Sequence, residues 1–561
     1  MKGEIQRSTF RAHKLPAVKR DSRPNILLLM TDQQRFDTIQ ATGSAFMETP
    51  GLDRLAREGR HYSHAYSPNP ICLAARHNLL TGLPARYHGF PDNLHGATTR
   101  TDLPTLPRIL SDNGYETRAI GKMHFLPPRR HNGFDRMELM EELPTYREQD
   151  DYAMYLKQVG LGHIQHIHGV RHLLYMVPQR SLIPEEHHGT KWLGDRAIEF
   201  LRSNRGRQPF FLWLSWIAPH PPFDVPDRLA DLYRDARLPT PFRSKTPTSS
   251  LAEESKTLGD LPDERYVRRM RELYYAAITF VDEQICRVLD AMEEMGLLDN
   301  TLILFLSDHG ELLGDYGLYQ KWLPYDSCAR IPFIVRYPDQ IEPGSVYRNF
   351  VDLNDILPTA LDVAGIAYPA DYPLPGESLL SPTPQKDRTR QYMEYSFDNR
   401  RWVSICTRTH KYNYYYGNGY EELFDLVDDR HETTNLLASK ANENVASIRA
   451  SLRRQLIDIE RTWGLKGYVD NGNFLVGPPY EPHPQRNQAL PRFPAYIMDK
   501  AERTQMNDLF EEILAAVASE PVVRLRDLDV AAWQRNGGFS GEAVGQLLQR
   551  DDRRRGEGHG R

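Results

Sequence analysis

Between Ile71 and Gly82 the chain reads ICLAARHNLLTG, which sets one cysteine, Cys72, four residues ahead of an arginine, Arg76, on the first turn of a helical pattern. The exposed N–H groups and dipole at such a helix start favour an anion beside residue 72, and Arg76 falls on the same face one turn later. A buried structural thiol is the plain alternative for a lone cysteine. Two further groups stand at the ends of apolar runs: Asp32 and Gln33 close NILLLMTDQQ, and Asp308 and His309 close TLILFLSDHG. Two carboxylates, a carboxamide and an imidazole can hold a divalent cation; oxygen donors suit calcium or magnesium, while the imidazole leans towards manganese. For either aspartate taken alone, a helix cap is the bland alternative.

The elements that must position these groups are legible as apolar runs that stop abruptly at polar residues: Asn25–Gln34, Glu116–His124 (ETRAIGKMH), Phe210–His220 (FFLWLSWIAPH) and Thr301–Gly310. Runs this apolar fit parallel strands buried on both faces. Between them Val267, Met270, Leu273, Ala277, Phe280, Val281, Ile285, Val288, Leu289 and Met292 recur at helical spacing, with Gly296 placed to end the helix. The alternation predicts an α/β fold with a doubly wound, mostly parallel sheet, whose strand ends would bring Asp32, Lys122, His220 and Asp308 to one rim. After about residue 385, RWVSICTRTHKYNYYYG and EELFDLVDDRHETTNLL predict a smaller C-terminal α+β domain. The expected division is an N-terminal extension over 1–22, a catalytic domain over 23–385, the small domain over 386–467 and an extension over 468–561. That extension holds the Pro-rich PPYEPHPQRNQALPRFPAY, a short helix near Asp508–Ala518 and a disordered tail, DDRRRGEGHGR.

Composition narrows the function classes. A chain of 561 residues, 40% hydrophobic and 26% charged, is of ordinary globular type with room for two to four domains. A formal charge of −5 gives no reason to expect nucleic acid as a partner. The four cysteines lie far apart without CxxC spacing, so neither a disulfide framework nor a zinc ribbon is expected. The only apolar run near the N-terminus, Ile26–Met30, is too short for a secretory or membrane segment, which makes a cytoplasmic location without membrane association the expectation.

Cys72–Arg76 reads C-x-A-x-R and continues RHNLLTG, which resembles the sulfatase signature C-x-P-x-R with its following LTG. GYETRAIGKMH, Gly114–His124, resembles the second sulfatase signature, G-Y-x-T-x-x-x-G-K-x-H. Further likeness runs from PNILLLMTDQQ through SDHGELLGDYGLYQKW to ELFDLVDDRHETTNL, covering residues 24 to about 437. This resemblance to the formylglycine-dependent sulfatases implies the alkaline phosphatase fold, a small-molecule aryl or alkyl sulfate ester as substrate, and one divalent metal, calcium first with manganese or magnesium next. It also implies conversion of Cys72 to formylglycine by a formylglycine-generating or radical-dependent maturase. One hydroxyl of the hydrate would attack sulfur, and deprotonating the other would expel sulfate and restore the aldehyde. In the family's pattern Asp32, Gln33, Cys72, Asp308 and His309 would surround the metal, and Arg76 would support the hydrate. Lys122 and Lys321 would bind sulfate oxygens, His124 would assist turnover of the hydrate, and His220 in APHPPF would protonate or orient the leaving oxygen. Asn93 in FPDNLHG would contact the sulfate side, although a loop turn explains it almost as well.

Many sulfatases have a second Asp where Gln33 stands and Asn where His309 stands. The phosphonate monoester and phosphodiester hydrolases of the same superfamily resemble the chain in these Asp-Gln and Asp-His pairs but usually lack the lysine and histidine of GKMH, so Lys122 and His124 favour sulfate. Leu73 and Ala74 replace the signature's small residue and proline; the aerobic maturase favours proline there, whereas the radical-dependent one accepts alanine. A catalytically silent, unmodified binding protein is therefore the third reading. His163, His166 and His168 of GHIQHIH lack an acidic complement and read as a lid or surface loop rather than a second metal site. Trp216, Trp322 and Tyr325 flank the proposed catalytic residues and read as core packing. The long C-terminal segment could serve contacts between copies in a homo-oligomer.

Overall fold

The computed structural model describes residues 23–481, apart from 94–97, 145, 165, 170–175, 177–178, 205, 257–263, 369–371, 381–387 and 441. The expectations for 1–22, for the helix near Asp508–Ala518 and for the tail lie outside the described residues. The main sheet has eight strands: β1 (Asn25–Asp32), β2 (Arg60–Tyr66), β3 (Glu116–Gly121), β4 (Arg136–Leu139), β5 (Phe210–Pro219), β6 (Thr301–Ser307), β7 (Phe333–Arg336) and β8 (Ser345–Asp352). Their spatial order is β8-β2-β7-β6-β1-β5-β3-β4. Only β7 runs against its neighbours, pairing antiparallel with both β2 and β6.

All eight residues of β1 are buried, and they divide between two cores. Leu27 and Leu29 face one cluster, while Ile26, Leu28 and Met30 face the other. The first cluster is closed by helices α1 (Pro50–Glu58), α3 (Gly189–Asn204) and α4 (Glu264–Glu294), through Leu52 and Leu55 of α1, Leu193, Ala197 and Leu201 of α3 and Val281, Ile285, Val288 and Met292 of α4. The second is closed by α2 (Cys72–Thr81) and α5 (Ile356–Ala364), through Ala75, Leu79 and Leu80 and through Ile356, Leu357 and Ala360. Covering both faces is what permits an uninterrupted apolar strand, each buried Leu or Ile contributing roughly 1.5–3 kcal/mol of transfer free energy. The long helix stops where its sequence predicts: Gly296 takes φ +63°, and the Leu297 amide returns to the Met292 carbonyl at 2.9 Å.

A second, four-stranded antiparallel meander comprises β9 (Arg390–Tyr395), β10 (Trp402–Thr407), β11 (His410–Tyr415) and β12 (Glu421–Asp425). One face, with Val403, Ile405, Tyr412 and Leu423, packs on α6 (Glu443–Trp463). The other, with Met393, Trp402, Tyr415 and Phe424, packs against Tyr66, Leu323 and Tyr325 of the first unit. The architecture is thus the expected mostly parallel α/β sheet with a smaller C-terminal α+β unit. Among the described residues no helix is long and apolar enough to cross a membrane, and the four cysteines are free.

Candidate active site

Strand register explains why residues distant in sequence meet. Thr31 of β1 lies opposite Ser307 of β6, so Asp32 and Asp308 emerge side by side beyond the two strand ends. Asp32 is itself paired with Pro219 of β5, which delivers His220 to the same rim. Gly121 of β3 pairs with Ser215, and the next amide, Lys122 N–H, donates to the Ser215 carbonyl at 3.0 Å. A side chain at Gly121 could not be accommodated, because a Cβ there would lie 1.9 Å from the Ser215 carbonyl oxygen and φ is +104°. The GK dipeptide is therefore a packing requirement as well as a motif.

Cys72 opens α2 and is buried. Its Sγ lies 3.1 Å from His309 Nε2, 3.1 Å from Lys321 Nζ and 3.7 Å from Asp32 Oδ1, and the His124 imidazole is close enough to favour its charged form. Burial alone would raise the thiol's pKa, but Lys122, Lys321 and His309 outweigh it and hold the group well below the usual thiol range. Asn93 reaches the site as a helix cap: its Oδ1 accepts the Leu73 N–H at 3.0 Å. Arg76 does not aim at the thiol. Its Nε donates to Asp308 Oδ2 at 3.0 Å and its Nη2 to Asp32 Oδ2 at 3.2 Å, while Nη1 donates to the Lys122 carbonyl and to Ser215 Oγ at 2.9 Å.

The two aspartates titrate differently. Burial and the neighbouring Asp32 raise Asp308, whereas Asp32, despite burial and the Cys72 charge, is held low by Lys122, His220 and Arg76. Ligand atoms of Asp32, Cys72, Asp308 and His309 all lie within 4.8 Å of one another, with His309 Nε2 at 3.8 Å from Asp32 Oδ1 and 3.7 Å from Asp308 Oδ1. The other ring nitrogen, Nδ1, lies 3.0 Å from the Gly310 carbonyl, an orientation that leaves Nε2 to a ligand. Two facing buried carboxylates with an imidazole fit a divalent cation. Gln33 sits beside them, its Oε1 accepting from Lys321 Nζ at 2.6 Å and its Nε2 donating to Glu311.

Lys122 Nζ pairs with Asp32 and with Glu142. Burial would lower this ammonium, but Asp32, Cys72 and Glu142 hold it above its ordinary value. His220 Nδ1 lies 2.7 Å from the Pro221 carbonyl and Nε2 lies 2.8 Å from Lys321 Nζ. Burial lowers the His220 pKa, Glu142 opposes that effect, and Lys321 adds to it. Every proposed site residue is thus brought to one rim.

Sequence reading missed the carboxylates behind the lysines. Glu141 accepts the Met123 N–H at 3.0 Å and the His124 N–H at 3.0 Å, fixing His124 at φ +57°. Glu311 accepts the Leu313 N–H at 2.9 Å and the Gln320 N–H, bracing the loop before Lys321. Glu311 directly follows SDHG and could have been suspected; Glu141 and Glu142 look like any acidic pair after a strand. Left-handed backbone recurs at the site, at Gln33, His124, Gln320 and Trp322. Among the described residues His163, His166 and His168 join no cluster of three metal-ligating side chains. Trp216 packs in the core with its Nε1 donating to the Thr190 carbonyl at 3.1 Å.

The chain's sequence matches a known family. The family model for Sulfatase covers residues 24–366, and that for N-sulphoglucosamine sulphohydrolase, C-terminal, covers residues 314–462. An arylsulfatase of Clostridium perfringens is 33% identical over 480 residues, spanning 82% of this chain and 98% of that protein. A choline-sulfatase of Rhizobium meliloti is 30% identical over 435 residues, spanning 74% of this chain and 82% of that protein. Among solved structures, the phosphonate monoester hydrolase of Agrobacterium radiobacter superposes with a TM-score of 0.67 at 23% identity, covering 82% of this chain and 100% of that one, which is a likeness of fold.

Proposed function

The chain belongs to the sulfatase family and is a sulfuric ester hydrolase, and from that premise we propose that it cleaves an aryl or alkyl sulfate through formylglycine formed from Cys72. The observation that carries this reading is the convergence of Lys122, Lys321, His124 and His309 on one buried side chain at a helix start. Converted and hydrated, residue 72 presents one hydroxyl to sulfur; Lys122 and Lys321 offset the charge of the sulfate oxygens. His220 gives a proton to the departing oxygen, and His124 takes the proton of the second hydroxyl so that sulfate leaves. Asp32, Asp308 and His309, with the Gln33 carboxamide alongside, would hold a divalent cation, calcium first and manganese or magnesium next, which supplies further charge compensation when bound. Arg76 bridges the two aspartates, and Asn93 anchors the amide beside the nucleophile.

Maturation requires a formylglycine-generating or radical-dependent enzyme, and a cytoplasmic location is part of the same proposal. Mass spectrometry of the peptide His61–Arg76 from protein made in its own host tests it: the aldehyde or its hydrate is expected at residue 72, and an unmodified thiol in active protein would reject the nucleophile. The Asp-Gln and Asp-His pairs favour a second reading, phosphonate monoester or phosphodiester hydrolysis. Faster turnover of an aryl phosphonate than of the matching aryl sulfate, by a wide margin, would reverse the order.

A further inference from the structure

Glu142 stands where an anion-binding pocket has no obvious use for it. Lys122 already has Asp32 as a counter-ion, yet Glu142 Oε2 lies 2.5 Å from the same ammonium. Its other oxygen, Oε1, lies 3.5 Å from His220 Nε2. Ligand atoms of Cys72, Glu142 and His220 all lie within 4.8 Å of one another, so this carboxylate borders the space in which the ester must react.

The His220 ring makes sense of it. With Nδ1 held by the Pro221 carbonyl at 2.7 Å, proton exchange falls to Nε2. Two charged groups flank that atom and they are complementary: Lys321 Nζ, at 2.8 Å, can only donate, and the Glu142 carboxylate can only accept. Lys321 therefore suits a bare Nε2, and Glu142 suits an Nε2 that carries hydrogen. A separation of 3.5 Å before substrate binds is of the kind that closes in the reacting complex.

We propose that Glu142 is a positioning residue that holds the proton-bearing His220 ring in line with the departing oxygen while tying it to Lys122 on the sulfate side. This rests on the reading of His220 as the leaving-group acid. As the bond from sulfur to the ester oxygen breaks, its electron pair stays on that oxygen and the Nε2 proton passes to it. The bare ring then accepts from Lys321, and Glu142 keeps its pairing with Lys122.

The test is a leaving-group series on the mature full-length enzyme, from 4-nitrophenyl sulfate through phenyl sulfate to an alkyl sulfate. Glu142→Gln keeps the shape and removes the charge. Its kcat/KM is expected to fall about tenfold on the best leaving group and about a thousandfold on the poorest, with the loss in kcat. Glu142→Asp restores the charge at shorter reach and should recover the poor substrates about tenfold over the glutamine variant. A loss equal across the series, a loss confined to KM, or no recovery with aspartate overturns the proposal. His220→Ala is run in parallel: a steep series there with a flat one for Glu142→Gln refutes the role of Glu142 alone, whereas two flat series refute His220 as the acid.

Discussion

At the scale of single residues, the site separates groups that touch the reacting atoms from groups that keep those atoms in place. Cys72→Ala should abolish sulfate ester turnover while shifting the thermal midpoint by only a few degrees (about 2–4 °C), because a small buried side chain is lost and its neighbours pair with one another. Near-normal rates in that variant would remove residue 72 from the chemistry. Arg76 predicts the opposite balance. Its guanidinium bridges Asp32 and Asp308 in full burial, so Arg76→Met leaves Asp308 without its guanidinium partner and Asp32 with Lys122 in its place, and should cost roughly 3–5 kcal/mol in urea unfolding. An unchanged unfolding midpoint would show that the bridge has no structural weight. Sequence reading placed Arg76 against the nucleophile because residues four apart share a helix face; it could not see that two strand-end aspartates reach the guanidinium first. Glu141 and Glu142 were illegible for a related reason, since only the fold reveals which cations and amides they meet, whereas Glu311 at least adjoins a recognisable strand end.

Elements carry the alignment. Apolar runs ending at Asp32 and Asp308 were readable as parallel strands, and their register alone makes the two carboxylates neighbours. The four residues of β7 were not legible as an antiparallel member, since Phe333–Arg336 is as fully buried as the mutually parallel β1 and β6, and direction leaves no mark in an apolar run. The bracing of the Lys321 loop was equally hidden. Trp402 of β10 donates its indole N–H to the Trp322 carbonyl at 2.8 Å, and Glu422 of β12 accepts the Tyr325 hydroxyl at 2.9 Å. Since Trp322 adjoins Lys321 in a left-handed turn, Trp402→Phe should lower kcat/KM roughly tenfold through misplacement of the lysine while leaving the fold intact. Steady-state kinetics beside circular dichroism would check this; wild-type kinetics would mean the turn holds itself.

For the whole molecule, buried titratable groups outside the proposed catalytic set shape the pH dependence of stability. Burial raises Asp150 to about 8 and Asp224 and Asp282 to about 7, against about 3.9 unfolded. Their contribution is complete below pH about 4 and is lost as pH rises through 7 to 8. Burial lowers His77 and His188 to about 4, so their contribution is complete above about pH 6.5 and is lost as pH falls towards 4. Of these five groups the three carboxylates act above about pH 6.5, and the thermal midpoint should decline from there to about pH 8. Asp224→Asn, which still accepts the Ser181 hydroxyl, should flatten that decline; an unaltered slope would assign the limb elsewhere. Because Trp402 and Glu422 hold Trp322 and Tyr325, the meander and the turn beside the anion-binding lysine share one hydrogen-bonded seam, and damage far along the chain has a short route to the chemistry.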